Sequence, residues 1–215
     1  MSDVCIRQIM QLRNINHLYH FTNAINLPLI FQLGLQPRSN MEELAKNGYE
    51  FSFNDEMRLD GCKNASSLSI EFPNYKMFYR IRQETECPSD WAVLKLSSDI
   101  LCNCDCAFCR TNASDATVTC ISIDRRKGAN ALLQLFDDWE GKPTRAEMGL
   151  PSNFPTNPQA EVLAFGVIPT YYIKTVFFES QDVAQKYAYL NYIKNGVVQI
   201  DMSLFCPRFD YSYWR

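Results

Sequence analysis

Gln159 and Glu161 stand two residues apart where a proline-containing turn runs into the apolar segment Val162-Leu163-Ala164-Phe165. Alternate residues of a strand share a face, so these two polar side chains point one way and Ala160 and Val162 the other. A carboxylate at the lip of a buried strand can take up a proton or stabilise a developing positive charge. An amide two residues before it can orient a substrate. A solvated strand end would carry the same residues. A second group is His20, Thr22 and Asn26: the first two share a strand face, and Asn26 stands before a helix. A helix N-terminus offers unpaired N–H groups to an anion or a carboxamide. The plainer alternative keeps His20 as a core histidine and Asn26 as a cap. Arg58, among Asp55, Glu56 and Asp60, is either a surface ion pair of little weight or an anchor for phosphate.

Aromatic and basic residues interleave over Tyr75-Lys76-Met77-Phe78-Tyr79-Arg80-Ile81-Arg82. Such a run can stack bases and hold phosphates, although Phe78 and Ile81 share a helix face that a core would claim. Arg125-Arg126-Lys127 reads as a solvated helix end or a phosphate contact. Four cysteines fall between Cys102 and Cys109, which invites a zinc reading. The spacing opposes it, because structural zinc sites join a short knuckle to a distant second one. No second knuckle exists and the chain has only two histidines, so buried free thiols are expected.

The elements that position these residues read as follows. A short helix falls within residues 2–13, and His17 to Thr22 alternates as a strand. Asn23 to Leu33 reads as the next helix with Asn23 or Asn26 as N-cap; Pro28 is tolerated only in its first turn, which favours Asn26, and Gly34 stops it. A short helix is expected around Met41–Lys46, a strand over Ser67–Phe72, a helix from Tyr75, and a strand over Trp91–Leu96. Asp124 to Phe136 reads as a helix. Residues 138–158 form a long loop with a helical turn at Arg145–Met148; a loop of that length is more often functional than idle. The Glu161 strand runs to Val167, a further strand covers Lys174–Glu179, and Ser180 caps a helix to Lys194. Val197–Ile200 is a last short strand before an aromatic tail, Phe209 to Trp214. Strands and helices mix without regular alternation, which predicts α+β rather than a doubly wound sheet.

The chain has 215 residues, 47% hydrophobic and 21% charged, which suits one folded domain over residues 1–215. Its net charge of −3 leaves no global basic field, so a nucleic-acid partner would need a local patch. Nine cysteines, an odd number, argue for reduced thiols and a cytoplasmic location. No stretch resembles a signal peptide and no apolar run is long enough to span a bilayer, so no membrane association is expected.

The order of these motifs resembles the DarT family, bacterial toxins that ADP-ribosylate bases of single-stranded DNA. Tyr19-His20-Phe21-Thr22, followed by Asn26-Leu27 and a helix ending at Gly34-Leu35, is similar to the family's opening. Asn54 to Gly61 resembles the segment carrying its arginine, here Arg58. Phe72 to Tyr79 resembles its strand, proline and Met-aromatic turn, and Gln159-Ala160-Glu161-Val162-Leu163 its catalytic glutamate motif. Tyr211-Ser212-Tyr213-Trp214 is similar to its aromatic C-terminus. The Cys102–Cys109 cluster and the setting of Arg58 depart from the pattern, which leaves the target base open between guanine and thymine.

The resemblance implies an ADP-ribosyltransferase fold, two small mainly antiparallel sheets around an NAD+ cleft with flanking helices. NAD+ is then the co-substrate, with no metal, and single-stranded DNA the acceptor. His20 and Thr22 would contact the nicotinamide side with Asn26 nearby, and Arg58 the phosphates or the acceptor strand. Tyr75, Phe78 or Tyr79 would stack on nicotinamide or line the cleft. Glu161 would be catalytic, and Gln159 would orient the acceptor or ribose. Lys76, Arg80, Arg82, Arg125, Arg126 and Lys127 would form a local groove for the strand. The resemblance further implies a cognate antitoxin that removes the ADP-ribose.

Overall fold

The computed structural model describes residues 5–52, 60–84, 90–189 and 197–215. The elements in chain order are α1 (Ile6–Arg13), β1 (His17–Asn23), α2 (Leu27–Leu33), α3 (Arg38–Lys46), β2 (Ala65–Ile70), α4 (Tyr75–Glu84), β3 (Trp91–Ser97) and α5 (Ile100–Asn103). They continue as β4 (Cys106–Cys109), α6 (Ala116–Thr119), α7 (Gly128–Gln134), β5 (Glu161–Phe165), β6 (Ile173–Phe178), α8 (Gln181–Lys186) and β7 (Val197–Ile200). The mixture is α+β, as the irregular alternation of periodicities predicts.

The seven strands hydrogen-bond in one order, β4-β5-β2-β1-β3-β6-β7, with every pair antiparallel except β6 and β7. The two separate sheets expected from the resemblance are thus two halves of one sheet. They meet at β1 and β2, which share only two register pairs, Leu18↔Ile70 and Tyr19↔Ser69. β1 then continues along β3 through Asn23↔Trp91, and β2 continues along β5 through Ala65↔Phe165. The strands therefore splay beyond Tyr19 and leave a gap that side chains must fill. His20 spans it: its Nδ1 lies 2.9 Å from the Ser67 carbonyl oxygen, which can only accept, so the ring proton sits on Nδ1.

The main core packs α1, α2 and α7 against the strands through Leu18, Leu27, Leu68, Leu94, Leu132 and Val162. A second, aromatic core joins Phe78 of α4 to Trp91, Phe177 and Leu204. The C-terminal segment is tied to the loop before β5. The buried Arg208 forks onto Asp210 at 2.6 and 2.7 Å and donates to the Pro155 and Thr156 carbonyls at 2.9 Å each. Trp214 Nε1 adds a bond of 3.0 Å to the same Asp210. Arg145 grips that loop from the other side through Phe154 O, Thr156 Oγ1 and Pro151 O, each at 2.8 Å. The long loop is therefore a scaffold fixed by two arginines, and it delivers Glu161 to its strand.

Asn26 does not cap α2 with its side chain. Asn23 instead caps the short 3-10 turn before it, accepting from Ile25 N at 3.1 Å. Pro28 falls in the first turn of α2, as its ring requires. Gly34 ends the helix with φ of +86°; a Cβ there would stand 2.6 Å from the Ile168 carbonyl oxygen, so the position admits only glycine without a shift. Among the described residues, no helix is long and apolar enough to cross a membrane.

Candidate active site

The splay between β1 and β2 opens into a cavity of about 130 Å³, lined from one side by Tyr19, His20, Phe21 and Thr22 and from the other by Ser66, Ser67, Asn74 and Glu161. α2 contributes Leu29 and Ile30, and the N-terminal part of α3 contributes Arg38 and Met41.

Glu161 is buried, 7% exposed, as the first residue of β5. Its carboxylate is held on both oxygens. Oε1 accepts from the side-chain amides of Asn74 at 3.1 Å and Asn112 at 3.3 Å, and Oε2 accepts from the Ala113 backbone N–H at 3.0 Å. Asn74 has no freedom to turn its amide over. Its Oδ1 accepts from Met77 N at 3.2 Å at the start of α4, which obliges Nδ2 to face Glu161. Three donors aimed at one buried carboxylate favour its ionised form and fix its direction.

Thr22 and Asn26 are buried together: Asn26 Nδ2 donates to Thr22 Oγ1 at 2.9 Å and to the Ser52 carbonyl at 2.8 Å, and its Oδ1 accepts from Ser52 N at 2.8 Å. Asn26 thus pins the strand Thr22 stands on to the segment after α3. Gln159 is half-buried and does not line the main cavity. It lines an adjacent polar depression with Lys76, Arg80, Thr111 and Asp115. Met77, Asn112 and Ser114 border both spaces, so the depression opens beside the Glu161 carboxylate.

A family model described as "DarT: ssDNA thymidine ADP-ribosyltransferase" matches residues 19–203. The chain belongs to the DarT family. That membership carries the enzyme class expected from sequence, NAD+-dependent ADP-ribosylation of single-stranded DNA. The fold agrees with solved DarT structures. Thermosipho africanus DarTG in complex with ADP-ribose aligns with a TM-score of 0.60 at 17% identity over 88% of this chain and 50% of that one. The chain therefore spans about half the length of that relative. Thermus sp. 2.9 DarT in complex with NAD+ aligns with a TM-score of 0.57 at 14% identity over 88% of this chain and 97% of that one. The same Thermus protein in complex with ADP-ribosylated ssDNA gives 0.57 at 13% identity, over 90% and 97%. No curated protein matches the sequence.

Set in the DarT fold, the residues singled out in the sequence separate into groups. His20, Thr22, Asn26 and Glu161 line one cavity, and Gln159, Lys76 and Arg80 line the depression beside it. Arg58 lies outside the described residues. The aromatic residues of α4 stand elsewhere. Phe78 is 1% exposed, stacked on Phe21 at 4.6 Å and edge-on to Trp91 at 5.6 Å, so its ring belongs to the aromatic core. Tyr79 is exposed on the outer face. Tyr75 is buried near Asp210 and Arg208, and burial pushes its phenol up to about 12. None of the three lines the cavity; Met77 and Ile81 of the same helix do.

The basic groove is also smaller than expected. Arg82 pairs with Glu179 and lies over the rings of Phe78 and Phe205 at 5.3 and 5.6 Å, which makes it part of the packing. Arg126 is buried against Cys109, its Nη1 3.5 Å from Sγ, and Lys127 pairs with Asp105 at 2.7 Å. Arg125 is exposed, and none of the three lines either space. Of the Cys102–Cys109 cluster, Cys102 lies in α5, Cys106 and Cys109 lie in β4 and Cys104 stands between them, all four as free thiols. Burial raises the Cys106 and Cys109 thiols to about 12, so both are protonated at neutral pH. The residues missed from sequence are Asn74, Asn112 and Ala113. Of these, Asn74 stands with Pro73 where a strand gives way to a helix, which marks a chain turn and not a partner of Glu161.

Proposed function

We propose that this chain transfers the ADP-ribosyl group of NAD+ to N3 of thymine in single-stranded DNA, with Glu161 as the catalytic carboxylate. The observation that carries this reading is the buried Glu161 carboxylate, aimed by Asn74, Asn112 and Ala113 between the cavity and a polar depression. The cavity suits the donor and the depression suits the acceptor base. The thymidine acceptor is supported by the family description.

In thymidine N1 carries the sugar, so N3 is the one ring nitrogen with a proton, and it attacks poorly until that proton leaves. The bond between the nicotinamide nitrogen and ribose C1′ breaks, and its electron pair departs with neutral nicotinamide. The positive character left at C1′ resembles the oxocarbenium centre of glycoside cleavage, which a nearby carboxylate stabilises. Thymine N3 bonds to C1′ as its proton passes to Glu161 and then to water. NAD+ and thymidine thus give the adduct, nicotinamide and a proton. His20 and Thr22 contact the nicotinamide side, and Asn26 holds that wall in place. Gln159 orients the acceptor. Arg58 remains the proposed phosphate anchor, and Arg38 brings a guanidinium to the cavity wall, held by Glu42 at 3.1 Å. A single-stranded base needs no extrusion from a duplex.

The reading includes an antitoxin that removes the ADP-ribose, supported by the likeness to DarTG. It also includes a cytoplasmic location, supported by the free thiols among the described cysteines, and one domain over residues 1–215. The test is intact mass of single-stranded oligonucleotides after incubation with the protein and NAD+. The expected result is one added ADP-ribose unit, lost with Glu161→Ala and lost when every thymidine is replaced. Modification of RNA or protein instead of DNA would move the acceptor. Absence of NAD+ consumption with any acceptor would remove the enzymatic reading.

A further inference from the structure

We propose that the surface running from the Gln159 depression across Trp139 is the track for nucleotides flanking the target base of the single-stranded DNA acceptor. This rests on the function proposed above and extends it to residues outside the catalytic cavity. The depression is continuous with a ring of aromatic and cationic groups. Lys76, on its wall, donates through Nζ to the Trp214 carbonyl. The Trp214 indole meets Trp139 edge-on at 5.9 Å. Arg110, the neighbour in sequence of Thr111 on the depression wall, lies over Trp139 at 5.3 Å, and Lys142 lies over Trp214 at 5.6 Å.

Cations here can meet a phosphate backbone: Lys76, Arg80, Arg110 and Lys142 gather about the depression and the two indoles. Acids stand among them, Asp115 in the depression, Glu84 3.7 Å from Arg80, and the exposed Asp137, Asp138 and Glu140 beside Trp139 in sequence, so the indole and not the net charge carries the preference for a strand. Chemistry favours a single strand over a duplex. Indole rings stack with unpaired bases regardless of sequence, and a duplex hides those base faces. Trp214 is buried and tied to Asp210, so it serves as the floor; Trp139, half-buried under the exposed Arg110, is the ring a base can reach. The cations already poised over these rings exchange weak exposed cation–π contacts for phosphates.

Fluorescence anisotropy tests this with thymidine-containing oligonucleotides of about four and about twelve nucleotides, the span of single-strand site sizes, and an unreactive NAD+ analogue present. The wild-type protein binds the longer strand more tightly, and log K falls with log salt by about 0.7 for each phosphate neutralised. Arg110→Gln with Lys142→Gln lowers that slope by about 0.7 for each phosphate these two cations neutralise in the wild-type protein. Trp139→Ala weakens the longer strand about five- to tenfold, and Trp139→Phe restores most of it. Equal affinity of the wild-type protein for both lengths, or affinities of both variants within about twofold of wild type on the longer strand, overturns the proposal. If Trp139→Ala fails to fold by thermal melting, the charge variant decides. Transfer to DNA is scored separately by intact mass on the wild-type protein. A failed transfer therefore removes the function, and a failed length and salt dependence removes the track.

Discussion

At the scale of single residues, the site depends on how one carboxylate is held. Asn74 serves two elements at once, capping α4 through Oδ1 and aiming Nδ2 at Glu161. Asn74→Asp keeps an acceptor for the Met77 N–H but sets a carboxylate against Glu161 in place of a donor. Asn112→Ala removes a donor and adds nothing. A hydrogen bond to a charged group is worth about 1.5–3 kcal/mol, so Asn112→Ala should slow transfer at least about tenfold. Asn74→Asp should slow it further and also lower thermal stability, because it buries a second carboxylate against Glu161. Steady-state rates with an oligonucleotide acceptor, beside melting curves, check both; a wild-type rate in Asn74→Asp would mean its amide does not direct Glu161. The place of Glu161 at the lip of its strand was legible from the apolar run that follows it, but the alternation expected to set Gln159 on the same face fails, because β5 begins only at Glu161 and Gln159 lies in the preceding turn. Asn74 and Asn112 were not legible, since their contacts with Glu161 span 87 and 49 residues of chain. Phe78 misled for the opposite reason. Its aromatic type suited a nicotinamide stack, but the i, i+3 pairing with Ile81 had already assigned it to a core.

At the scale of elements, several strands and helices followed their periodicity and stop signals, but the helix expected over Asp124 to Phe136 divides at the extended Lys127 into a 3-10 turn and α7, and the helix capped by Ser180 ends at Lys186 rather than Lys194. α2 ends at Gly34 and α4 begins at Tyr75 as expected. The loop between α7 and β5 was legible only by length and proline content. It is held by Arg145 and Arg208, whose contacts with the loop are backbone carbonyls apart from the Thr156 hydroxyl and so leave little trace in side-chain pattern. Arg208 is 3% exposed and makes two bonds to Asp210 and two to the loop. Removing one member of a buried ion pair costs about 3–5 kcal/mol, because the other charge is left buried and alone. Arg208→Ala should therefore lower unfolding stability by about that amount in urea titration. The double variant with Asp210→Asn should recover part of it. Equal losses in the single and double variants would mean that the carbonyl contacts, and not the pair, hold the tail.

At the scale of the whole molecule, the two halves of the sheet meet at a short joint whose stability depends on pH. Beyond Leu18↔Ile70 the ladder ends with Glu71, which has φ of +60° and whose carboxylate accepts from Asn16 N and, at 3.0 Å, from His17 N. Glu71 N returns a bond to the His17 carbonyl at 3.1 Å. The joint was not visible in the sequence, and the family resemblance implied two sheets, because register between distant strands has no local signal. Burial, and secondarily Lys95, lowers the His17 imidazole below its ordinary value. Burial raises the Glu71 carboxyl despite its backbone donors. For His17 the folded value lies below the unfolded one, so its contribution is present above about pH 6.5 and is lost as pH falls through the folded value. For Glu71 the folded value lies above the unfolded one, so its contribution is present below about pH 4.5 and is lost as pH rises through the folded value. The two oppose each other, which predicts a shallow stability profile across the weakly acidic range. His17→Gln removes one side of that balance. Melting temperatures between about pH 7.5 and pH 5.5 should then fall less in the variant than in wild type, since the proton taken up by the unfolded histidine is gone. A wild-type protein that loses no more than His17→Gln over that window would show that this histidine does not titrate with the joint.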